Sequence, residues 1–340
     1  MNRYDWTGIS GIALATLFGC QASTPPPQQP PAYSQPGPYV APTQPVPWTT
    51  PPTTALVQSP TAAQGAAGAG ARPALGPLVG AIAWQAEVRA VESEIVSHLS
   101  PENRARVAKV PLVFDPNTNE VNAYAGCDDK GAPFLAATEG LLEAMDAVAE
   151  TRATDEIFGT QTYVAYVNGV APRLVAQGGA SAALPAGIIP AQMLFDARRI
   201  SRAHEMYDEI VAFTFGHELA HHYLGHTGCA NGQAAGFAPA IEQIGRFVTN
   251  LGQGFNQPNE IAADSAGCIS VLDAGLARAS SAYRWTEAGG LALLDFFDRL
   301  EKASGANPFL GFLRTHPNPG LRIPVVQGVA ATWRLQHPGT

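Results

Sequence analysis

The residues best suited to catalysis lie in one short segment, His217-Glu218-Leu219-Ala220-His221. On an α-helix, residues four apart lie on the same face, so the imidazoles of His217 and His221 can bind one Zn²⁺. Glu218 lies about 100° from His217 around the helix, which places its carboxylate beside the open coordination position of that ion. A carboxylate there can take a proton from a metal-bound water. The spacing predicts a hydrolytic zinc centre with Glu218 as its general base.

The residues around this segment strengthen the interpretation, because the five-residue pattern alone occurs by chance in unrelated chains. Gly216 and His222 are uncharged and Tyr223 is hydrophobic, so we expect a buried helix. Burial of Glu218 is unfavourable unless its charge has a partner. The alternative is a helix that merely presents His and Glu to solvent.

A third protein ligand is expected from a later helix, which begins near Pro258 and Asn259. Glu260 and Asp264 are four apart and share one face of that helix. Glu260 can bind the metal while Asp264 accepts a hydrogen bond from a ligand histidine. Small residues follow Asp264 and allow this helix to pack closely on the first. The alternative is an acidic helix start that only complements the helix dipole.

Two nearby histidines are weaker candidates for the third ligand. His222 points about 100° away from His221 on the helix, and we expect it to pack or to form a hydrogen bond. His226 lies past Gly225 near the helix end, where a capping or surface histidine is more common.

The composition indicates a folded domain behind a long N-terminal extension. Of the 340 residues, 46% are hydrophobic and 14% are charged, which is enough to build a buried core. The formal net charge is −8 and no basic run occurs, so we expect no nucleic-acid partner. We expect a signal peptide over residues 1–20, a disordered Pro/Gln/Thr- then Gly/Ala-rich tether over 21–77, and the folded domain over 78–340. The sequence indicates no oligomeric state.

The first twenty residues have the features of an export signal. Their apolar run is shorter than the about 20 residues that span a bilayer. It ends at Leu17-Phe18-Gly19-Cys20, which resembles a bacterial lipoprotein box, in which the cysteine thiol takes the lipid. We therefore expect an exported cell-envelope protein, an outer-membrane lipoprotein anchored through Cys20 and facing the periplasm or the cell surface. The alternative is an ordinary signal peptide with an incidental cysteine.

Three cysteines remain after Cys20, namely Cys127, Cys229 and Cys268. Because an exported protein meets an oxidising compartment, we expect one disulfide and one free thiol. The sequence leaves the pairing open. A cysteine-ligated zinc is less favoured, because no Cys-x-x-Cys spacing occurs.

The first part of the domain alternates between helical and extended patterns. Hydrophobic residues recur every three or four positions over 84–99, which predicts a helix. Short apolar runs over 110–114 and 121–125 predict strands, and 134–137 should pair back with the second as an antiparallel hairpin.

The rest of the domain is predicted to be mostly helical. Thr138 should cap a helix that runs to Glu150, and the pattern over 151–195 assigns no elements. The resulting fold class is α+β, mostly helical with a small antiparallel sheet beside the active-site helix. Further helices are expected over 203–225, 237–251, 259–273, 285–302 and 319–335.

At these residues the chain resembles the HtpX-like and CAAX-prenyl-protease-like metallopeptidases, a gluzincin group known as metallopeptidase family forty-eight. That family has HExxH followed on a later helix by Glu-x-x-Ala-Asp, which stands here as Glu260-Ile261-Ala262-Ala263-Asp264. Residues 121–125 and 138–142 are similar to the hairpin and the helix that precede its active site. Thr315-His316-Pro317, with Arg322 beyond it, is similar to its downstream His-Pro…Arg segment.

The resemblance implies a zincin-like endopeptidase that hydrolyses peptide bonds of envelope or misfolded proteins. One Zn²⁺ per chain would be bound by His217, His221 and Glu260, with Asp264 behind them. The family's integral-membrane members have several spanning helices, and this sequence has none after the signal. It is therefore more similar to a soluble, exported branch.

The resemblance also implies how a substrate would bind. An extended polypeptide would add as a strand to one edge of the hairpin sheet. His316 and Arg322 would be catalytic, lying near the metal to stabilise the oxyanion or to gate the site. The substrate edge would be formed by Phe134, Leu135, Ala136 and Ala137.

Two other functions fit parts of the sequence. A latent, chaperone-like quality-control protein of the envelope could use the same groove with little cleavage, if His316 acted as an additional zinc ligand. A tethered interaction module could use its Pro-rich arm as the working part. The intact HExxH and Glu-x-x-Ala-Asp motifs argue against the second of these.

Overall fold

A long helix, α5 (Ala197–Tyr223), forms the centre of the fold and carries the HExxH segment in its second half. Its side chains are buried at every position over residues 206–221. Asp196 caps its start by accepting hydrogen bonds from the backbone N–H groups of Arg198 and Arg199. Because a helix buried on all sides needs neighbours all round, α5 packs against helices that both precede and follow it in the chain.

The computed structural model describes residues 75–176, 181–229, 257–278, 284–304 and 315–338, all within one unit, Gly65–Thr340. The predicted signal with Cys20, the tether up to residue 74 and the helix expected over 237–251 lie outside the described residues. The described elements are α1 (Gly80–His98), α2 (Pro101–Val107), β1 (Leu112–Asp115), β2 (Ala123–Cys127), β3 (Pro133–Thr138), α3 (Glu139–Phe158), α4 (Thr162–Ala176), α5, α6 (Gln257–Ala277), α7 (Ala288–Ser304) and α8 (Pro319–Gln336).

The predicted helices within the described residues are confirmed, with boundaries shifted by a few positions. The helix expected to end at Glu150 continues to Phe158, where Gly159 adopts the left-handed conformation (φ 67°) that ends it. Helix α4 lies in the region where the pattern assigned no elements. None of the described helices combines the length and the apolar character required to cross a membrane.

The three-stranded sheet is mixed, which corrects the expected antiparallel sheet within an otherwise α+β fold. Its order is β1-β3-β2, with β3 antiparallel to β2 and parallel to β1. The hairpin of β2 and β3 is as predicted. After β1 the chain first forms β2, which lies one strand position away from β1. It then turns back as β3, which fills the position between them and therefore runs parallel to β1.

The predicted substrate edge is wrong, because Phe134, Leu135, Ala136 and Ala137 lie on the central strand. Leu135, Ala136 and Ala137 each have a partner in both β1 and β2, and Phe134 has its partner in β2. All six residues of β3 are buried, as expected for a strand covered on both faces. The edge strands among the described residues are β1 and β2.

Thr138 joins the sheet to α3 and confirms the predicted cap. Its hydroxyl accepts a hydrogen bond from the backbone N–H of Leu141 at 3.2 Å. The backbone N–H of Asn122 donates to the same hydroxyl at 3.1 Å. At Gly140 a Cβ would lie 2.4 Å from the carbonyl oxygen of Glu120, so only glycine fits against this loop.

The expected combination of one disulfide and one free thiol is confirmed. Cys127 at the end of β2 is bonded to Cys229, just beyond α5, with 5.5 Å between their Cα atoms. Cys268 is a buried free thiol on α6. The disulfide ties the edge strand β2 to the segment that follows the HExxH helix.

We expect Cys229→Ser to lower the free energy of unfolding by about 3–5 kcal/mol, because the bond closes a long loop in the unfolded chain. Cys127 and Cys229 are separated by 102 residues. Denaturant unfolding of the oxidised full-length protein would measure the loss. As a control, a reductant should destabilise the wild type and leave Cys229→Ser unchanged. Equal stability of the oxidised wild type and the variant would contradict the prediction.

Candidate metal centre

Four side chains from three parts of the chain meet in a buried cluster: His217 and His221 on α5, Glu260 on α6, and His316 just before α8. One ligand atom of each lies within 4.8 Å of the others. The Nε2 atoms of His217 and His221 are 3.0 Å apart, and Glu260 Oε1 lies 3.3 Å from His221 Nε2. His316 Nδ1 lies 3.3 Å from His217 Nε2 and 2.9 Å from Glu260 Oε2. This cluster could hold a metal ion, with His316 as a fourth donor beside the three predicted ones.

The charges in and around the cluster favour a cation. Glu218, Glu260 and Asp264 are carboxylates at most 1% exposed. Among the described residues, Arg322 is the guanidinium that pairs with Glu260 and Asp264. Glu218 Oε2 has no hydrogen-bond partner in the part of the chain that the structure describes, and Glu260 Oε1 faces His221 Nε2 at 3.3 Å. Three carboxylates and one guanidinium leave two negative charges when the histidines are neutral, and a divalent cation or a protonated His316 would offset them.

The pKa shifts follow from this arrangement. Burial opposes ionisation of Glu218, but His316 and His217 outweigh it and lower its pKa to about 2. The pKa of Glu260 lies well below its ordinary value for the same reason. Glu260 and Glu218 outweigh the effect of burial on His316 and raise its pKa to about 10. Burial lowers the pKa of His221 to about 4, which keeps its imidazole neutral at pH 7, as a metal ligand must be.

Helices α5 and α6 approach closely enough to bring Glu260 to the histidines because glycines lie at their crossing. A Cβ at Gly267 would lie 2.8 Å from the backbone nitrogen of His217, and one at Gly216 would lie 3.3 Å from the carbonyl oxygen of Gly267. The sequence had predicted close packing from the small residues after Asp264. The first turn of α6 carries Glu260, which therefore faces α5.

Asp264 orients the first ligand and is itself held by Arg322. Its Oδ1 lies 2.9 Å from His217 Nδ1, which donates the hydrogen bond and leaves Nε2 for a metal. Arg322 donates through Nε and Nη2 to the two oxygens of Asp264 at 2.7 and 2.6 Å. Its Nη1 lies 3.1 Å from Glu260 Oε2. These contacts favour a positioning role for Arg322 over the predicted contact with an oxyanion.

His316 lies directly beside the predicted general base Glu218. Its Nε2 is 3.2 Å from Glu218 Oε1 and 3.1 Å from the carbonyl oxygen of Ala123. The preceding Thr315 donates to the side chain of Asn122 at 3.2 Å. The segment before α8 is thus fixed to the start of β2, with the two nitrogens of His316 facing the donor cluster and Glu218.

His226 belongs to the site, although the sequence favoured a capping or surface role for it. Its Nδ1 lies 3.0 Å from His221 Nδ1. Helix α5 ends in a Schellman-type cap, in which Gly225 has φ 79° and His226 N–H bonds to the carbonyl of His221 at 2.9 Å. This reversal brings His226 back over His221. Gly225, directly after the helix, was the residue from which this chain reversal could have been predicted.

His222 does not join the cluster. It forms a hydrogen bond to the carbonyl oxygen of Phe134 at 2.9 Å, as expected.

We expect His226→Ala to weaken metal binding by about 10- to 100-fold, as loss of a hydrogen-bond partner of a ligand histidine does. Competition between the full-length protein and a chromophoric chelator, with Zn²⁺ as the probe ion, would measure the affinity. His337→Ala, at the end of α8, is a matched control that should not change it. Equal affinities of wild type and His226→Ala would show that His221 needs no such partner.

The edge strand beside the cluster is β2. Hydrogen bonds from Thr138 N to Asn122 O and from Asp128 N to Ala132 O show that residues 122 and 128 face β3. Backbone groups alternate in direction along an antiparallel pair. The backbone N–H and C=O groups of Ala123, Ala125 and Cys127 therefore point away from β3. The carbonyl of Ala123 is the one that His316 contacts.

No protein-family model, no curated protein and no solved structure matches this chain. The motif resemblance to the HtpX-like metallopeptidases therefore stays a prediction. The fold and the buried donors of His217, His221, Glu260 and His316 must be interpreted from their own geometry.

Proposed function

We propose that the chain is a zinc-dependent endopeptidase in which Glu218 activates the attacking water. The observation that carries the proposal is the buried convergence of two imidazoles and one carboxylate, with the buried Glu218 in contact with the fourth member of the cluster, His316. Two histidines and a glutamate form a common donor set of hydrolytic zinc sites. The motif resemblance to gluzincin metallopeptidases supports the same function.

The spacing of the donor atoms is compatible with zinc. Five separations between donors, measured to either oxygen of Glu260, are 2.9 to 3.6 Å, and all the donors lie within 4.8 Å of one another. Four donors placed tetrahedrally at zinc bond lengths of about 2.0–2.1 Å would be about 3.3–3.4 Å apart. When bound, zinc would polarise the scissile carbonyl and make water a nucleophile at neutral pH.

The chain's own residues would carry the proton and hold the ligands. Glu218 Oε2, which has no hydrogen-bond partner among the described residues, would take the proton of the attacking water and pass it to the leaving amine. Asp264 would keep His217 in the tautomer that has a free Nε2. Arg322 would hold Asp264 and Glu260 in position.

The proposed substrate is an extended polypeptide of an envelope or misfolded protein. It would add as a strand to the outer edge of β2, where the backbone groups of Ala125 and Cys127 point away from β3. We propose that the Cys20 lipid anchors the protein to the outer membrane and that the tether gives the domain reach.

A second candidate function is a latent form of the same protein, acting mainly as a chaperone-like binder. The position of His316 favours it. With Nδ1 at the fourth corner of the donor cluster and Nε2 beside Glu218, His316 would occupy the position that water needs and engage the base. Cleavage would then require this histidine to move away.

The test is to measure zinc content and cleavage of labelled casein on the same full-length preparation. Zinc that the wild type binds and His221→Ala loses, with cleavage that a zinc chelator removes and added Zn²⁺ restores, would support the peptidase. Zinc without cleavage in the wild type, together with cleavage by His316→Ala, would support the latent form. Absence of zinc in both proteins would overturn the proposal.

A further inference from the structure

A second group of potential ligands lies on the first half of α5, away from the candidate metal centre. It consists of Glu87 on α1 and of His204 and Asp208, which are four apart on α5, and is called here the α1–α5 cluster. One ligand atom of each lies within 4.8 Å of the others. His204 precedes His217 by about 20 Å along the helix, at about 1.5 Å per residue. The two clusters therefore cannot share an ion.

The hydrogen bonding of His204 resembles that of a metal ligand. Its Nδ1 lies 2.8 Å from the carbonyl oxygen of Gly76. Because a carbonyl can only accept, Nδ1 carries the proton and donates. Nε2 faces two carboxylates, at 3.4 Å from Glu87 Oε1 and 3.8 Å from Asp208 Oδ1. Ligand histidines commonly donate one ring N–H to a backbone carbonyl in this way and bind the ion through the other nitrogen.

Asp208 supplies an independent observation. Its side chain is 3% exposed, and Oδ1, the atom that faces His204, has no hydrogen-bond partner among the described residues. Burial, and then the charge of Glu87, raise the pKa of Asp208 well above its ordinary value. Two neighbouring carboxyl groups in this setting must either share a proton in a hydrogen bond or hold a cation between them.

One guanidinium that acts on these carboxyl groups, Arg278, is hydrogen-bonded to another acidic side chain. Arg278 binds Glu94 on α1 through Nε and Nη2 at 2.8 and 2.7 Å, and its guanidinium stacks on the ring of Trp285. Its charge also lowers the pKa values of Glu87 and Asp208, so it balances part of the negative charge of the cluster.

We propose that Glu87, His204 and Asp208 bind a second divalent transition-metal ion. Imidazole favours ions such as Zn²⁺, and two carboxylates are compatible with them. Glu87 is partly exposed, so water can complete the coordination. The ion would fasten α1 and the segment at Gly76, where the predicted tether joins the domain, to the helix that carries HExxH.

The competing arrangement is a protonated His204 that forms simple ion pairs. Burial disfavours that charge, but Glu87 and Asp208 outweigh it and raise the pKa of His204. Neither distance from Nε2 is a normal hydrogen-bond length. A count of bound metal ions separates the two arrangements, because an ion pair binds none.

The experiment is equilibrium dialysis of the metal-stripped, full-length protein against Zn²⁺, with zinc per chain measured by mass spectrometry. We expect two ions in the wild type and one in both His204→Ala and Asp208→Asn. Asp208→Asn preserves the side-chain shape, so it tests the site even if His204→Ala folds poorly. His98→Ala, an exposed histidine on α1, is the matched control and should bind two ions.

A variant of the other centre keeps this proposal separate from the peptidase. His221→Ala should bind one ion, held by the α1–α5 cluster. One ion in the wild type, lost in His204→Ala and kept in His221→Ala, would support this cluster and overturn the candidate centre. Equal zinc content of wild type, His204→Ala and Asp208→Asn would overturn the second site.

Discussion

Glu218→Gln is expected to lower kcat/KM for peptide cleavage by about 10²- to 10⁴-fold, the range typical of a lost general base. If the wild type is latent, the comparison is made in the His316→Ala background. An amide of the same shape cannot accept the proton of the attacking water. Glu218 is not among the four clustered donors, so the variant should bind as much zinc as its parent. Casein cleavage and zinc content of one preparation would measure both.

The matched control for this prediction is Glu209→Gln, which replaces a second buried glutamate on the same helix. Thr286 donates to Glu209 Oε1 from its backbone N–H and its hydroxyl, at 3.2 and 3.3 Å. Burial raises the pKa of Glu209 to about 7, so the amide resembles the protonated form and should leave cleavage unchanged. Equal activity loss in both variants would point to a general disturbance of α5. Full cleavage by Glu218→Gln would exclude Glu218 as the base.

The helices could be predicted because their signal is local. The pattern that placed the HExxH helix depends on residues within a few turns, and so did the Thr138 cap. The sheet order could not be obtained in this way. Residues 112–115 of β1 pair with residues 135–138 of β3. The hydrophobic periodicity of either segment does not indicate which strand will be its partner in the sheet. The unbroken apolar run over residues 133–137 of β3 was the available sign of a central strand.

The residues of the candidate site differ in the same way: some could be predicted from local spacing, and others could not. Two i, i+4 pairs, His217 with His221 and Glu260 with Asp264, define faces of helices and were found from spacing. The place of His316 came from the motif resemblance, since nothing near it in sequence indicates a contact with Glu218. The contact of His226 with His221 depends on a chain reversal beyond the helix.

Arg322→Met is expected to lower the free energy of unfolding by about 3–5 kcal/mol, the usual result of removing one partner of a buried ion pair. Arg322 is 1% exposed, and Asp264, which it binds through two hydrogen bonds, is fully buried. The variant leaves Asp264 and Glu260 without their guanidinium. Denaturant unfolding of the metal-stripped and Zn²⁺-loaded protein would measure the loss, which added zinc should reduce but not abolish.

Arg334→Met on the same helix is the control, because Arg334 pairs with Glu287 while its side chain is 46% exposed. An exposed pair of this kind contributes about 0–1 kcal/mol. A double-mutant cycle with Asp264→Asn isolates the pair itself, and Asp264→Asn/Arg322→Met should be more stable than the sum of the single losses implies. If Arg322→Met cost no more than Arg334→Met, Arg322 would not position the ligands.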